Sequence, residues 1–495
     1  MTQGLRKKIW ILFIFINVSI CKPPELKNEC DPFAYSDSDK LTSDFILSNS
    51  TQDASALKFL LPDYVILCNG GNAAPNLISF RLDSEINGLK SNVDAEIVGS
   101  EIRITLPYGR SKFSLPSFST NRSQVFWKGN EMTSGESYLD LSSPGELLLK
   151  SKNGQTKLYN LVPTLTVPLE DTGQNACYVE GFNTPAVAVA CNQTSFPRQD
   201  GDFVDFPNPK GTETSITRVG YPNDFINLNR ISGLVWKTCA EGPTNNTCTG
   251  AYSTFTFDVA KSNCDAYNSA NGGKGYAGIQ GWRLPRLQEV FFMRSYASNG
   301  VFTETAKFPN PPANQIRTLD TNLNVSTTIT TKDSEISQEA MNAFREVHCV
   351  AGADLPTKLY SDLGGGIILD QRTGLFWTKC ALGQSGTNCE IGSPTNYNVS
   401  QGMIQCRDLT LGGKSWRLPS ISEGVSLFDF TRTSAPFISQ TAFPNTSSEL
   451  TRLSTNLMSN DAYAYELGYS TLGITTSNNK TTGAIGYQVR CVAGP

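Results

Sequence analysis

Thirteen cysteines and one histidine are the residues of this 495-residue chain whose types most readily do chemistry. Thiolates act as nucleophiles or metal ligands, but a zinc site needs closely paired Cys or His ligands, and His348 is the lone imidazole. His348 abuts Cys349, while the matching place in a second copy of the surrounding motif holds Arg490, so it reads as a strand-surface residue and not a general base. A literal Gly-x-Gly-x-x-Gly occurs at Gly273, Gly275 and Gly278. It follows an expected helix, whereas a dinucleotide site needs a strand before and a helix after, so it reads as a loop. Asp200, Asp202 and Asp205 are spaced as a calcium site could be, but an Asp-Gly-Asp linker is more often a turn, and the cluster is read as one. No Gly-x-Ser-x-Gly elbow, phosphate-binding loop or His-Glu-x-x-His is present. The chain is therefore read as non-enzymatic, with no catalytic residue, no metal ligand and no cofactor.

The cysteines carry a different message, because twelve of them fit a disulfide framework and eight of those lie in a repeat. Ser232-Gly233-Leu234-Val235-Trp236-Lys237-Thr238-Cys239 matches Thr373-Gly374-Leu375-Phe376-Trp377-Thr378-Lys379-Cys380. Each is followed by a second cysteine, Cys248 or Cys389, then by a helical stretch with Cys264 or Cys406. Trp282-Arg283-Leu284-Pro285 then matches Trp416-Arg417-Leu418-Pro419, and both copies close on Cys-Val-Ala-Gly at Cys349 and Cys491. Four cysteines per copy allow three connectivities. The Gly/Asn/Thr-rich loops favour local bridges Cys239–Cys248 and Cys380–Cys389, which leaves Cys264–Cys349 and Cys406–Cys491. Cys177–Cys191 and Cys30–Cys68 would complete the set.

Around the repeat, elements of regular structure must hold these residues. Pro285 and Pro419 suit the first position of a helix, after which Leu287 and Phe291, or Ile421, Val425 and Phe428, form one apolar stripe. Glu289 and Glu423 fall in the first turns, where the helix dipole favours them. Val259, Asn263 and Tyr267, or Val399, Met403 and Cys406, mark an upstream helix carrying the bridge cysteine. The four repeat tryptophans, Trp236, Trp282, Trp377 and Trp416, read as core anchors.

In combination these motifs resemble the Lcl C-terminal domain family, named for the last module of a collagen-like bacterial adhesin. The resemblance spans residues 173–352 and 353–495, and it implies α+β modules of C-type-lectin-like fold. The family's namesake binds sulfated glycosaminoglycans and supports attachment. Residues 173–350 hold fourteen basic and sixteen acidic side chains, and 353–495 hold ten of each, so a polyanion ligand is not implied by charge. A more distant resemblance, through an Arg-Leu-Pro segment, is to formylglycine-generating oxidases. Those depend on reactive cysteines, whereas each repeat cysteine here has an expected structural partner.

Upstream, alternating apolar positions at Leu77–Leu82 and at Ile102, Ile104 and Leu106 read as strands, and Leu147 to Tyr159 as a hairpin around Asn153-Gly154. Residues 75–168 resemble a bacterial immunoglobulin-like β-sandwich. Residues 1–20, with Arg6, Lys7 and Lys8 before the apolar run from Ile9 to Phe15, read as a signal peptide. Cys21 directly after it resembles the lipidated cysteine of bacterial lipoproteins, although Ile20 departs from the small residue usual before it. Residues 21–74 read as a polar tether.

The expected fold class is thus multidomain: an N-terminal all-β immunoglobulin-like sandwich followed by two α+β C-type-lectin-like modules. The net charge of −4 carries no nucleic-acid footprint. The expected role is a lipid-anchored adhesion protein of the cell envelope or outer-membrane surface that recognises glycan or extracellular-matrix ligands. The alternative is a structural envelope lipoprotein without a carbohydrate ligand, and oligomerisation is left open.

Overall fold

The computed structural model describes residues 74–210, 213–297, 307–311, 315–322, 325–330, 336–432, 434–470, 473–477, 480–481 and 487–494. The expected signal peptide, Cys21, Cys30, Cys68 and all but the last residue of the expected tether lie outside them. The described residues are mostly β-strand with a few short helices, and they fall into two compact units. None of their helices is long and apolar enough to cross a membrane.

The first unit holds residues 118–134 and 146–160 with the segment ending at Phe80. Here Gln124–Trp127 pairs antiparallel with Asn130–Met132 on one side and with Gly145–Lys150 on the other. The alternation expected of half-buried strands is visible, with Leu147 and Leu149 buried and Leu148 exposed. The Asn153-Gly154 turn closes as a hairpin, with Gly154 N donating to Ser151 O at 3.0 Å.

The second unit holds residues 81–117, 135–145 and 161–494, and so contains both repeats. In the first, strands Glu213–Arg218, Tyr221–Asn229, Val235–Lys237, Val350–Ala351 and Trp282–Arg283 lie in that order in one antiparallel sheet. The second repeat orders Tyr360–Asp362, Ile367–Asp370, Phe376–Thr378 and Val492–Ala493 in the same way, with Arg417 bridging to Val492 at the edge. In both, the closing Val-Ala strand lies against the strand of the Gly-Leu-x-Trp motif: Trp236 pairs with Val350, and Trp377 with Val492.

Four helices among the described residues carry the repeat motifs: α1 (Phe257–Ala266), α2 (Leu287–Met293), α3 (Val399–Arg407) and α4 (Ile421–Ser426). Helices α2 and α4 begin two residues later than the proline-at-first-position reading places them, with Arg286 and Ser420 as N-caps. The prolines remain extended because their carbonyls are used elsewhere: Pro285 O accepts from Leu319 N and Pro419 O from Ser454 N, both at 2.8 Å. On α1 the buried face is Phe257, Ala260 and Cys264, and Val259 is exposed, so the stripe proposed through Val259 is rotated from the real one. On α3 the expected Val399, Met403 and Cys406 are buried.

Trp236, Trp282, Trp377 and Trp416 are all fully buried. Trp282 packs in a core drawn from the first repeat, and Trp416 in one drawn from the second together with Phe196 of the segment that precedes both. Trp236 and Trp377 join a third cluster with Leu287, Phe291, Ile421 and Val425, drawn from α2 and α4. That shared core makes the boundary at residues 352/353 a seam inside one body.

Among the described residues five disulfides close the frame: Cys177–Cys191, Cys239–Cys248, Cys264–Cys349, Cys380–Cys389 and Cys406–Cys491. The two long ones span 85 residues each and join α1 or α3 to the cysteine just before the closing strand. The glycine-rich segment after α1 is a loop leading into a strand, as the missing strand before it demands. At Gly275 (φ 90°) an added Cβ would lie 1.8 Å from Ile279 O, so the turn itself requires glycine.

Candidate binding cleft at the repeat seam

The Trp-Arg-Leu-Pro motif supplies a buried ion pair. Arg283 reaches Glu289 with both terminal nitrogens, at 2.6 and 2.8 Å, and Glu289 Oε2 also accepts from Arg286 N at 2.7 Å. Arg417 and Glu423 repeat this, with Ser420 N donating to Glu423 Oε2 at 2.8 Å. One carboxylate thereby caps its own helix and neutralises the arginine that holds the helix to the strand. The dipole reading of these glutamates missed the arginine, although a fixed Arg-to-Glu spacing of six residues in both copies was a legible signal.

Where α2 meets α4, repeat one reaches across to repeat two. The Gln288 amide donates to the carbonyls of Val425, Ser426 and Phe428 at 2.9, 3.2 and 3.1 Å, satisfying the C-terminal end of α4. Lys358 Nζ adds a bond to Ser426 O at 2.5 Å. Beside this junction opens a cleft of about 360 Å³, lined from one side by Arg286 and Asp320 and from the other by Phe428, Phe430 and Arg372.

The cleft is polar, aromatic and incompletely satisfied. Arg286 is held by Asp354 (Nε to Oδ1, 2.7 Å) and by Asp320 (3.2 Å). Burial raises the Asp320 carboxyl to about 6 against the pull of Arg286. Lys358 is pushed down to about 7, first by desolvation and then by the nearby Arg372 charge. The Tyr360 hydroxyl lines the same wall, buried without a hydrogen-bond partner. Beside it Arg372 donates to Pro356 O at 3.0 Å and faces Asp370 in an ion pair at 3.6 Å that leaves Asp370 Oδ2 without a hydrogen bond. Such orphaned donors and acceptors are rare in native interiors and mark places where water or a ligand completes the bonding. No motif spacing pointed to this cleft, because its walls come from segments far apart in sequence.

The second repeat has its corresponding edge covered. The Asp171-to-Cys177 lead-in and the Gln199-Asp200 turn fold over Thr455 and Asn456. Asp200 Oδ2 accepts from Thr172 and Thr455 hydroxyls at 2.8 and 2.6 Å, and Asn456 N donates to Gln174 Oε1 at 3.0 Å. Desolvation raises Asp200 to about 7 and Asp171 to about 6. Asp200 is thus engaged as a buried hydroxyl acceptor, and no group of three or more metal-ligating side chains occurs among the described residues. Phe203 and Phe206 stack over the Arg417 guanidinium at 4.8 and 5.4 Å.

His348 departs from its surface reading. It is 2% exposed, bonds Lys237 O through Nε2 at 2.6 Å, and lies edge-on to Trp236 and Phe308. Its neighbour's disulfide and the aromatic cage leave no solvent side, and desolvation lowers its pKa to about 4. Leu284, Pro285, Leu418 and Pro419 serve the packing and strand contacts described above, and none of them lines the cleft.

No curated protein matches the chain. Among solved structures, one match is a candidate glycoside hydrolase from Bacteroides thetaiotaomicron, 12% identical, covering 58% of this chain and 85% of that one with a TM-score of 0.16. A superposition that loose carries no functional argument. The Lcl C-terminal domain model matches residues 227–351 and 366–493, slightly more than half of the chain. Those two matches coincide with the two disulfide-closed copies built around Trp236 and Trp377, and the family points to a protein of the cell surface. The chain belongs to the Lcl C-terminal domain family, in tandem.

Proposed function

We propose that the chain is a non-enzymatic surface binding protein that takes a hydroxyl-rich ligand, of the glycan class, in the cleft at the repeat seam. The observation that carries this reading is the Tyr360 hydroxyl, buried there without a hydrogen-bond partner, beside the Arg372 guanidinium and the Phe428 and Phe430 rings. A sugar offers donors and acceptors on its edge and an apolar C–H face to a ring, which answers both kinds of wall. The cleft exists only where both copies meet, which gives the tandem arrangement a purpose. In this reading the copies are C-type-lectin-like modules, the N-terminal strands form an immunoglobulin-like spacer, and a lipid on Cys21 anchors the exported chain.

The test is a glycan and matrix-protein array with the intact chain, followed by affinity measurements on Tyr360→Phe and Phe430→Ala. At least one class of neutral or weakly charged glycan binds, each substitution weakens it several-fold, and the ligand is recovered chemically unchanged. A flat array at low salt, affinities indifferent to both substitutions, or a cleaved ligand would each overturn the proposal.

A further inference from the structure

A second pocket, of about 370 Å³, lies where residues 85–115 and 138 face the first sheet of repeat one. Part of its wall is apolar: Ile216, Ile226, Leu228 and Ile279 on the sheet side, with Phe113 and the more exposed Tyr138 opposite. Phe113 and Tyr138 meet edge to face with centroids 6.5 Å apart. Gly88 (φ 65°) lets its backbone press against Leu228, where an added Cβ would sit 2.4 Å from a methyl carbon.

Two guanidinium groups share these walls. Arg218 is fixed by Ala277 O and Gly278 O at 3.1 and 3.0 Å, so carbonyls orient it without neutralising it. Arg110 Nε is buried with no hydrogen-bond partner. Glu85 is the one carboxylate along the lining, and it is strongly exposed and reaches toward Arg230 at 3.7 Å. Burial, with Arg218 adding like charge, pushes Arg110 down to about 10, which leaves it cationic at neutral pH. Arg110 as a residue is half-buried, but its Nε is shut off from water with no counter-charge beside it, which costs stability and which an anion in the pocket would offset.

We propose that this pocket binds a small organic anion, a carboxylate on a flat apolar body, with Arg110 and Arg218 on the carboxylate and the Phe113, Tyr138 and isoleucine walls on the body. Guanidinium matches a carboxylate in a two-pronged geometry that a lysine cannot reproduce. The apolar walls distinguish this ligand from inorganic phosphate or sulfate, which would leave them unfilled. The site is separate from the seam cleft and stands whether or not a glycan binds there.

Isothermal calorimetry of the intact chain would use cinnamate and hexanoate as probes, with cinnamamide and inorganic sulfate as controls. Cinnamate binds, cinnamamide and sulfate bind at least tenfold more weakly, and Arg110→Gln loses at least tenfold in cinnamate affinity. The melting temperature of the unliganded chain supplies an independent readout. Arg110→Gln leaves it unchanged or raises it, because an unpaired buried charge has been removed, whereas a structural arginine would lower it. Hexanoate binding as tightly as cinnamate would overturn the flat-body assignment. Equal affinity for acid and amide, no binding by either acid, or a lowered melting temperature with affinity retained would overturn the site.

Discussion

The two repeats carry the same covalent frame and bury different groups beside it. In each, a disulfide spanning 85 residues ties a helix to the last strand, and the residue before the second cysteine points into a ring-lined recess. Repeat one places His348 there, 5.6 Å from Phe308, bonded to Lys237 O. Repeat two places Arg490 there, 4.8 Å over Phe443, bonded to Thr378 O at 2.6 Å. The recess therefore demands a flat donor between an aromatic face and a strand carbonyl, and it does not demand a particular charge. The outer edges diverge further: the lead-in covers Thr455 and Asn456 of repeat two, while Asp320 of repeat one opens on the cleft. Duplication preserved the scaffold and left the polar interior free to differ.

The largest expected effect tests whether the frames are equivalent. Replacing Cys264 and Cys349 by alanine, or Cys406 and Cys491, should cost about 4–5 kcal/mol in either copy by the loop-entropy relation for an 85-residue span. Urea unfolding should show similar losses; a loss confined to one copy would break the equivalence. The shared core of α2 and α4 also predicts one cooperative transition for both repeats, visible as coincident fluorescence and circular-dichroism midpoints.

Next in size are the buried pairs. Arg283→Met or Arg417→Met strands Glu289 or Glu423 in the interior and should destabilise by roughly 3–5 kcal/mol. Glu289 alone also accepts the Tyr108 hydroxyl at 3.0 Å, so Tyr108→Phe should cost about 1 kcal/mol. A Tyr108→Phe variant as stable as the parent would erase that difference between the copies.

The recess offers a pH test. His348 has its folded pKa lowered to about 4 from 6.5, so below pH 6.5 the unfolded chain takes up a proton that the folded chain refuses. Its contribution is full above pH 6.5 and falls by about 3 kcal/mol as pH drops to 4, at 1.36 kcal/mol per unit. Asp171, Asp200 and Asp320, with raised pKa values, act in the opposite sense, since protonation relieves their burial as pH falls. The readout is therefore the difference in melting temperature between parent and His348→Gln across pH 4–7. It should narrow toward low pH, and a constant difference would remove His348 as the titrating group.

A smaller effect than that of the ion pairs concerns the seam. Gln288→Ala removes the three bonds to the α4 carbonyls and should cost about 1–2 kcal/mol. Ser422 occupies the matching place on α4, and Ser422→Ala should cost less, because the three carbonyl bonds across the seam are made by Gln288. Equal losses in chemical denaturation would mean that the helix-capping contact carries no asymmetry.

Much of the frame was legible from the chain alone. Register-matched cysteines and tryptophans required two copies of one module, because disulfide and core positions recur at fixed separations whenever the fold recurs. Periodicity found α3 but misjudged the face of α1, and it started α2 and α4 too early, because local spacing does not reveal that a proline carbonyl is claimed by a strand thirty-odd residues away. Burial of His348, the Tyr108–Glu289 bond, the lead-in over Asn456, the unbonded Tyr360 hydroxyl and the unbonded Arg110 Nε all depend on segments distant in sequence. Spacing records which residues share a face; only the packed chain decides which buried polar groups find partners and which are left facing an open space.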